Sequence, residues 1–497
     1  MRHSTMTSGL LVAAAVALML APAYVHAGIP AIAIPSQPGQ SVPNPFEGAP
    51  ATPNPVASFG VPEHPFMAPN GRSNMHHDAY MTDAYDWSGP LGNDLQVSST
   101  WLGLEECASI TFDGHGRIVG LCGSLDGAHL RMLDPVSLET LAFMMLPPRM
   151  LRPGTTPLTD FCAAGYFYLD HRDRGIVSTN TNQVWVLSIG PEPLFTLEHI
   201  YDLNQHVAPP DCIASVLPDW SGLLWFVSKG GVVGTIDPTS GVTASTTVGE
   251  GVFNSFAVDE TGGVFIVTAA ALYRFDADAD GAPQVTWRET YDRGAALKPG
   301  MLSQGSGTSP TLLGDDLVAI ADNADPMNIE VYRRGAAPED ERLVCSVPVF
   351  EPGASATENS LIAAGNSLIV ENNYGYENPF STANGATTAA GIARVDFDVA
   401  AETCSVAWTS SEVAPTNVPK MSLANGLIYV YAKPARADGV DAWYFTAIDF
   451  HTGATVYRQL TGTGYLYNNH YAPVSIGPDG TAYVGALGGL IRIADGA

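Results

Sequence analysis

The stretch FAVDETGGVFIV, residues 256–267, holds two apolar segments separated by a Gly-containing turn. This pattern is typical of two half-buried β-strands that pair as a hairpin. The form returns along the chain in ITFDGHGRIVGL (110–121), SVLPDWSGLLWFV (215–227) and VSIGPDGTAYVG (474–485). A single hairpin cannot bury its apolar face, so the repetition indicates hairpins that stack on their neighbours.

The spacing of the repeat predicts the fold. Adjacent units start about 40 to 62 residues apart, which suits four strands in each unit. We therefore predict an all-β chain that forms a single β-propeller, with eight four-stranded blades as the favoured count and seven as the alternative. The predicted inner strands begin near Ser109, Ala163, Ser215, Ser255, Pro310, Ser360, Ser422 and Val474.

Three regions follow along the chain. Residues 1–27 read as a signal peptide, because an apolar run precedes Val25-His26-Ala27, and we expect cleavage after Ala27 and a secreted or periplasmic protein. Residues 28–94 form an extended arm rich in Pro and Gly. Residues 95–497 form the propeller, in which LQVSSTWL (95–102) supplies the missing outer strand of the last blade and so closes the ring.

The composition narrows the classes of partner. The 50 acidic and 22 basic residues give a formal net charge of −28, which would repel nucleic acid and anionic lipid. No run after the signal peptide is long enough to cross a bilayer, so we expect no membrane insertion. The expected partner is a small-molecule or protein ligand of a monomeric protein.

The six cysteines are an even number in a chain predicted to be exported, so disulfide bonds are expected. Six cysteines allow fifteen pairings. Their places relative to the predicted strands favour Cys107–Cys122, Cys162–Cys212 and Cys345–Cys404.

Several units carry an Asp-containing turn after the third strand, as in IDPTSGVT (236–243), IDFHTGAT (448–455) and LDPVSLET (133–140). With these turns the chain resembles the quinoprotein-like (PQQ-binding-like) β-propeller superfamily over roughly residues 100–497. The resemblance implies a propeller fold, and it is specific for the fold and not for a cofactor. The following stretches VTASTTV and ATVYRQL lack the family's blade-locking Trp, and no vicinal Cys pair exists, so PQQ is disfavoured.

Polar residues recur directly before the predicted inner strands, where propellers form one mouth of the central channel. A ring of carboxylate and amide oxygens there suits a ligand or a hard cation such as Ca²⁺, and Lys420 and His470 are the candidate acid/base residues. The alternative is that these side chains only satisfy turn backbone. The candidate ligand-binding residues are Glu106, Asp160, Asp211, Asn254, Glu358, Asn359 and Asn469.

Two further segments are candidates for ligand or metal contact. The run from Asn70 to Tyr85 contains His76 and His77, and it either covers the channel mouth or packs on the domain surface. Asp276, Asp278 and Asp280 alternate as in a calcium loop. Trp287 stands where such a loop needs a bidentate Glu, so an acidic hairpin loop is the alternative.

Two classes of function remain open. The first is an exported propeller that binds a ligand or partner at the mouth of its channel, which is the default where no catalytic signature occurs. The second is an enzyme, either a metal-dependent hydrolase similar in kind to lactonase propellers or a PQQ-linked oxidoreductase. The chain has no Gly-x-Ser-x-Gly elbow, His-Glu-x-x-His motif or phosphate-binding loop, so these three enzyme classes are disfavoured.

Overall fold

A computed structural model describes residues 28–148, 151–156, 158–160, 162, 165–314, 316–338 and 341–496. Over this part of the chain the fold is all-β, with eight sheets of four or more strands and two short 3₁₀ helices, Pro379–Thr382 and Tyr465–Tyr467. The predicted fold class and the count of eight blades are therefore confirmed. The predicted signal peptide lies outside the described residues.

Each blade is an antiparallel meander whose first strand is innermost. The strands of blades 1 to 4 are, in order, Glu106–Phe112, Ile118–Gly123, Ala128–Leu133 and Thr140–Met145; Phe167–Leu169, Gly175–Ser178, Gln183–Ile189 and Phe195–Asp202; Ile213–Pro218, Leu224–Ser228, Val232–Ile236 and Thr243–Thr247; Ala257–Val258, Val264–Val267, Ala271–Ala277 and Pro283–Thr290.

Blades 5 to 7 follow the same plan, and blade 8 takes its outer strand from the N-terminal side of the chain. Their strands are Thr311–Leu313, Leu317–Ala321, Asn328–Arg333 and Leu343–Pro348; Ile362–Ala364, Ser367–Glu371, Ile392–Asp398 and Thr403–Ser410; Lys420–Ser422, Leu427–Ala432, Ala442–Asp449 and Thr455–Thr463; Val474–Ile476, Ala482–Ala486, Gly489–Ala494 and Gln96–Trp101.

Strands from before the first blade complete the sheets near the seam of the ring. Gln96–Trp101 pairs antiparallel with Gly489–Ala494, in register from Gln96 opposite Ala494 to Trp101 opposite Gly489. Phe46–Gly48 adds a further outer strand to blade 7 by pairing with Thr455–Thr463. These pairings cover edges that would otherwise expose unpaired backbone groups.

The turn after the inner strand has the same construction in the first four blades. One carboxylate oxygen accepts hydrogen bonds from the backbone N–H groups two and four residues further on, at 2.8–3.1 Å. The turn then places a residue at positive φ, and in three of the four copies this residue is a glycine, Gly116 (φ 79°), Gly222 (φ 91°) or Gly262 (φ 88°). The turn is thus the structural cause of the sequence repeat. The carboxylates belong to Asp113, Asp170, Asp219 and Asp259.

The three predicted disulfide bonds, Cys107–Cys122, Cys162–Cys212 and Cys345–Cys404, are present. The first joins paired strands of blade 1, and the third joins the outer strands of blades 5 and 6. Each bridge restrains the unfolded chain and so stabilises the folded ring.

Residues 67–87, here called the central plug, run inside the ring of inner strands. Backbone N–H groups of Val258, Leu312 and Ala363 donate to plug carbonyls at 2.8–3.0 Å, and blades 2 and 7 are bonded in the same way. The strand Ala84–Tyr85 pairs in parallel with Lys420–Ser422. This part of the arm therefore does not lie on the domain surface, since most residues from 73 to 85 are buried.

Tyr80 anchors the plug between blades 4 and 5. The Arg334 guanidinium lies 4.7 Å from the centre of the Tyr80 ring and donates a hydrogen bond of 2.8 Å to its hydroxyl. Arg334 is itself buried and lies 3.3 Å from an oxygen of Asp259, the turn carboxylate of blade 4. Cation–π attraction and a charged hydrogen bond together fix the plug to the blades.

We expect the Asp219→Ala variant to be less stable than the wild type by about 3 kcal/mol, because several buried donors lose their acceptor. Asp219 accepts from the Ser221 and Leu223 N–H groups and from the Trp225 indole at 2.9 Å. Urea unfolding followed by tryptophan fluorescence measures the loss. The control is Asp237→Ala in an exposed turn of the same blade, and an equal loss in both variants would contradict the assignment.

Candidate functional site

A cavity of about 1060 Å³ opens at one mouth of the channel. Most of its wall comes from the segments that precede the inner strands, a smaller part comes from segments that follow second strands, and Met75 and His76 of the central plug also line it. The plug forms its hydrogen bonds with the inner strands farther from this mouth, so it forms the floor of the cavity. We call this space the mouth cavity. Its lining includes Arg152, Tyr166, Asp211, Lys229, Phe253, Asn254, Lys298, Glu358, Asn359, Glu377, His470 and Tyr471.

Lys229 is a buried cation in the wall. Its ammonium donates a hydrogen bond of 2.5 Å to the Phe253 carbonyl and lies 5.6 Å from the centre of that residue's ring. Burial, and to a smaller extent the Arg152 charge, lower the pKa of Lys229 to about 8, although nearby carboxylates partly offset both effects. An anionic group in the cavity would favour the charged form of this side chain.

Arg152 stands on a loop that Asp160 holds in place. The Asp160 carboxylate accepts hydrogen bonds of 2.8 Å from the Arg152 backbone and from Thr155, and it lies 3.4 Å from the Arg152 guanidinium. Burial alone would raise the pKa of Asp160, but these hydrogen bonds outweigh it and lower the pKa below its usual value. Asp160 is thus an ionised residue that positions the loop.

Glu358 is a second buried titratable group in the wall. One of its oxygens accepts a hydrogen bond of 3.0 Å from the Leu302 backbone, and the other has no hydrogen-bond partner among the described residues. Burial raises the pKa of Glu358 to about 8, while the Leu302 hydrogen bond and the Lys229 charge lower it in part. Near neutral pH the side chain is a protonated acid.

A buried ionic network lies in the floor. His76 Nδ1 is 2.9 Å from a carboxylate oxygen of Asp83, and Asp83 is ion-paired with Lys420, which also donates to the Met75 carbonyl at 2.7 Å. Asp83 and Lys420 are fully buried. Burial alone would raise the pKa of Asp83, but the Lys420 charge and the His76 contact lower it below its usual value. Asp83 is therefore an ionised carboxylate that fixes the His76 ring.

Of the eleven predicted ligand-binding and acid/base residues, six line the mouth cavity and five do not. Lys420 lies beneath the floor, Glu106 and Asn469 are buried without lining the cavity, and Asp160 supports the loop. His77 instead stacks on Tyr85, with ring centres 3.8 Å apart. The predicted residues that line the cavity are Asp211, Asn254, Glu358, Asn359, His470 and His76.

His470 lines the cavity but has both ring nitrogens in use. Its Nε2 is 3.0 Å from the Leu158 carbonyl, and its Nδ1 is 3.1 Å from the Tyr376 hydroxyl. Burial lowers the pKa of His470 to about 4, although the Leu158 contact raises it slightly. This side chain is a neutral structural residue of the wall, so it is a poor candidate for proton transfer.

Two of the three carboxylates of the predicted calcium loop serve other contacts. Asp276 pairs with Arg274 at 2.8 Å, and Asp278 accepts hydrogen bonds from the backbone N–H groups of Asp280 and Ala282 within its own turn. Among the described residues, no group of three or more His, Cys, Asp or Glu side chains is arranged to hold a metal ion. Calcium binding stays a prediction, and we derive no step through a metal.

The described cysteines do not form the vicinal disulfide that PQQ-dependent propellers often carry at the quinone. The disulfides join cysteines 15, 50 and 59 positions apart rather than sequence neighbours. The mouth cavity therefore offers no vicinal disulfide for a quinone, and we derive no step through one.

Lys229, Arg152 and Tyr166 are site residues that the sequence analysis missed. Lys229 follows the second strand of blade 3, whereas the site residues were predicted among those that precede an inner strand, so Lys229 was not predicted. The scarcity of lysine could have indicated Lys229, because the chain contains only four lysines. Two of them, Lys229 and Lys298, line the cavity, and Lys420 lies beneath it.

Comparisons with known proteins give distant likenesses. No protein-family model matches the chain. An uncharacterized protein of Archaeoglobus fulgidus is 27% identical over 330 residues, which cover 60% of this chain and 63% of that protein. The chain thus spans less than two thirds of the length of this relative.

Solved structures with some similarity include BamB from Moraxella catarrhalis, with a TM-score of 0.39, 11% identity, and coverage of 65% of this chain and 93% of that one. A streptogramin B lyase has a TM-score of 0.41 and 11% identity, with coverage of 84% and 99%. For a putative 6-phosphogluconolactonase from Bacteroides uniformis these values are 0.39 and 13%, with coverage of 59% and 81%. The fold assignment itself rests on the strand pairing described above.

We expect Lys420→Met to lower the free energy of unfolding by about 3–5 kcal/mol, because the buried Asp83 carboxylate loses its partner. The double variant Lys420→Met/Asp83→Asn removes that charge as well, so most of the loss should be recovered. Urea unfolding of both variants and the wild type tests this. A double variant as unstable as the single one would contradict the ion pair.

Glu358→Gln should change how stability depends on pH. The folded-state pKa of about 8 exceeds the ordinary value of 4.5, so the folded protein binds more protons and loses stability as the pH rises between these values. Gln cannot ionise, so the variant should gain stability relative to the wild type from pH 5 to pH 8 in urea unfolding. Glu377→Gln on the same wall controls for loss of one carboxylate. A difference that does not change with pH would contradict a buried neutral acid.

Proposed function

We propose that this protein binds a small organic acid in the mouth cavity. The observation that carries the proposal is Lys229, an ammonium group buried in the cavity wall at 8% exposure. Its burial disfavours the charged form, and a carboxylate of a ligand would restore the interaction that water no longer supplies. Arg152 adds a second positive charge to the same wall.

The rest of the lining supports an apolar ligand body. Tyr166, Phe253 and Tyr471 present aromatic rings, and Met75 and Met301 add flexible apolar surface. Sites for small molecules combine such apolar walls with a few polar groups that fix orientation, and a volume near 1000 Å³ is at the upper end for drug-sized ligands. We therefore favour an acid with an aromatic or similarly flat apolar body.

Three disulfides support the further proposal that binding takes place outside the reducing cytoplasm. Among the described residues, no helix is long and apolar enough to cross a membrane. A secreted or periplasmic location agrees with the predicted signal peptide.

Isothermal titration calorimetry with phenylacetate, phenylpyruvate and the neutral phenylacetamide tests the proposal. We expect both acids to bind, and phenylacetamide to bind at least tenfold more weakly because it lacks the charge. Lys229→Met should weaken phenylacetate binding at least tenfold, which is about 1.4 kcal/mol. The matched control is Arg172→Met, which removes a cation that lies outside the mouth cavity.

Phenylacetate affinity should also fall about tenfold between pH 7 and pH 9. The Lys229 pKa of about 8 means that most of the ammonium has lost its proton at pH 9, and only the charged form attracts the carboxylate. In Lys229→Met the part of this pH dependence that comes from the ammonium should disappear, and only the part that comes from ionisation of Glu358 should remain. Equal binding of acid and amide, or an unchanged affinity in Lys229→Met, would contradict the proposed ligand class.

A further inference from the structure

A second cavity, of about 510 Å³, lies between blades 2 and 3. It is lined by the turns after the first strands of both blades and by the turn after the third strand of blade 3, whereas the mouth cavity is lined from the other ends of the strands. The two cavities therefore open on opposite faces of the ring, and they share no described lining residue. We call this second space the interblade cavity.

At other blade boundaries an arginine fills the corresponding space. In blade 1 the Arg117 guanidinium is held by Asp113, and it donates to the carbonyls of Gly190 and Pro191 at 2.6 and 3.0 Å. These carbonyls belong to the turn after the third strand of blade 2. An arginine of one blade thus crosses to the next blade. Two similar contacts are Arg274 to the Arg334 carbonyl at 3.0 Å and Arg394 to the Phe450 carbonyl at 3.2 Å.

Arg174 stands at the place of Arg117 in blade 2, but it does not cross to blade 3. Asp170 and Arg174 repeat the spacing of Asp113 and Arg117, and Asp170 accepts from the Arg174 Nε at 2.8 Å. A terminal nitrogen of Arg174 then donates to Glu198, on the outer strand of its own blade, at 3.3 Å. Because the guanidinium is turned toward its own blade, the boundary with blade 3 stays open. The cavity is thus a departure from the repeat, which indicates a role other than packing.

The floor of the interblade cavity holds a hydroxyl group without a partner. Tyr168, in the inner strand of blade 2, is 1% exposed and lines the cavity. Its hydroxyl makes no hydrogen bond with a described residue. Unlike the unpartnered polar atoms that the protein encloses, this oxygen keeps some accessible surface, so it faces the cavity. Buried polar groups are nearly always hydrogen-bonded, so this hydroxyl indicates a place for a hydrogen-bonding ligand.

The walls carry donors and acceptors in balance. Arg174 and Asp170 form an ion pair of 2.6 Å, so their charges cancel. Arg172 makes no side-chain hydrogen bond or ion pair with a described residue, and the described donors to Asp237 all lie within its own turn. One charge of each sign is therefore available to a ligand. Four flat rings line the same walls, those of Phe66, His171, His199 and Tyr201.

We propose that the interblade cavity binds a pyranose ring of a neutral saccharide. Each sugar hydroxyl both donates and accepts, so it can pair with a guanidinium, a carboxylate or the Tyr168 hydroxyl. The C–H face of the sugar packs on a flat ring, and the volume lies within the range of small-molecule sites, about 300 to 1000 Å³. An anion would be repelled by Asp237 and a cation by Arg172. The proposal does not depend on the ligand of the mouth cavity.

Calorimetry with the methyl glycosides of glucose, galactose, mannose and N-acetylglucosamine tests the proposal. We expect at least one of them to bind with a dissociation constant in the millimolar range. Tyr168→Phe removes only the hydroxyl and should weaken this binding about fivefold, and Arg172→Met should weaken it about tenfold, as loss of a neutral and of a charged hydrogen bond predicts. Lys229→Met, in the mouth cavity, is the control and should keep the wild-type affinity for the glycoside.

Thermal unfolding confirms that each variant is folded, and phenylacetate binding should be unchanged in Tyr168→Phe. If none of the four glycosides binds to the wild type at millimolar concentrations, the proposal is wrong. Unchanged glycoside affinity in folded Tyr168→Phe and Arg172→Met would also overturn it, because the sugar would then bind elsewhere. Triglycine is titrated in parallel, and its binding in place of any glycoside would assign the cavity to peptides and overturn the proposal. None of these outcomes bears on the acid proposed for the mouth cavity, which phenylacetate reports separately.

Discussion

The hydrogen bonds between the central plug and the inner strands are the constraint on which the rest of the structure depends. Inner strands have one edge that faces the channel, and the backbone groups on that edge need partners. Among the described residues, the plug forms hydrogen bonds with the inner strands of seven of the eight blades. Most of these join backbone groups, and in two blades a side chain takes part. The same contacts set the depth of the mouth cavity, because the hydrogen-bonded residues that follow Met75 and His76 hold these two residues at a fixed level in the channel.

The Asp83–Lys420 pair follows from that constraint. Lys420 begins the inner strand of blade 7, and Ala84, directly after Asp83, pairs with Met421 in parallel register. The two charges are therefore brought together by backbone pairing and not by their own attraction. A pair buried in this way costs desolvation, so its contribution is better seen as specificity. Only one register of the plug gives Lys420 its carboxylate and His76 its acceptor.

Local chemistry explains how much of the fold was predictable. The Asp turn depends on residues two and four positions apart, and the disulfides join residues at equivalent places in paired strands or adjacent blades, so both could be read from the chain. The position rule for the channel mouth also found Glu358 and Asn359. The plug could not be found in this way, because its partners are up to several hundred residues distant and its segment has no periodicity. For the same reason Lys420 was expected in the cavity and lies below it.

The plug also changes what the site can do. Eight similar blades repeat similar positions around an axis, so inner-strand residues alone give a nearly symmetric ring of polar groups. A symmetric ring of this kind suits a bound cation or a water-filled channel. The carboxylates and amides before the inner strands led to the same expectation. The plug is a single non-repeated segment, so it can place one side chain, His76, on one side of the floor. Lys229 breaks the symmetry of the wall in the same way. Lys433 follows the second strand of blade 7 as Lys229 follows that of blade 3, but of these two lysines Lys229 alone lines the mouth cavity. An asymmetric substrate requires an asymmetric site, and in this ring both sources of asymmetry meet at one cavity.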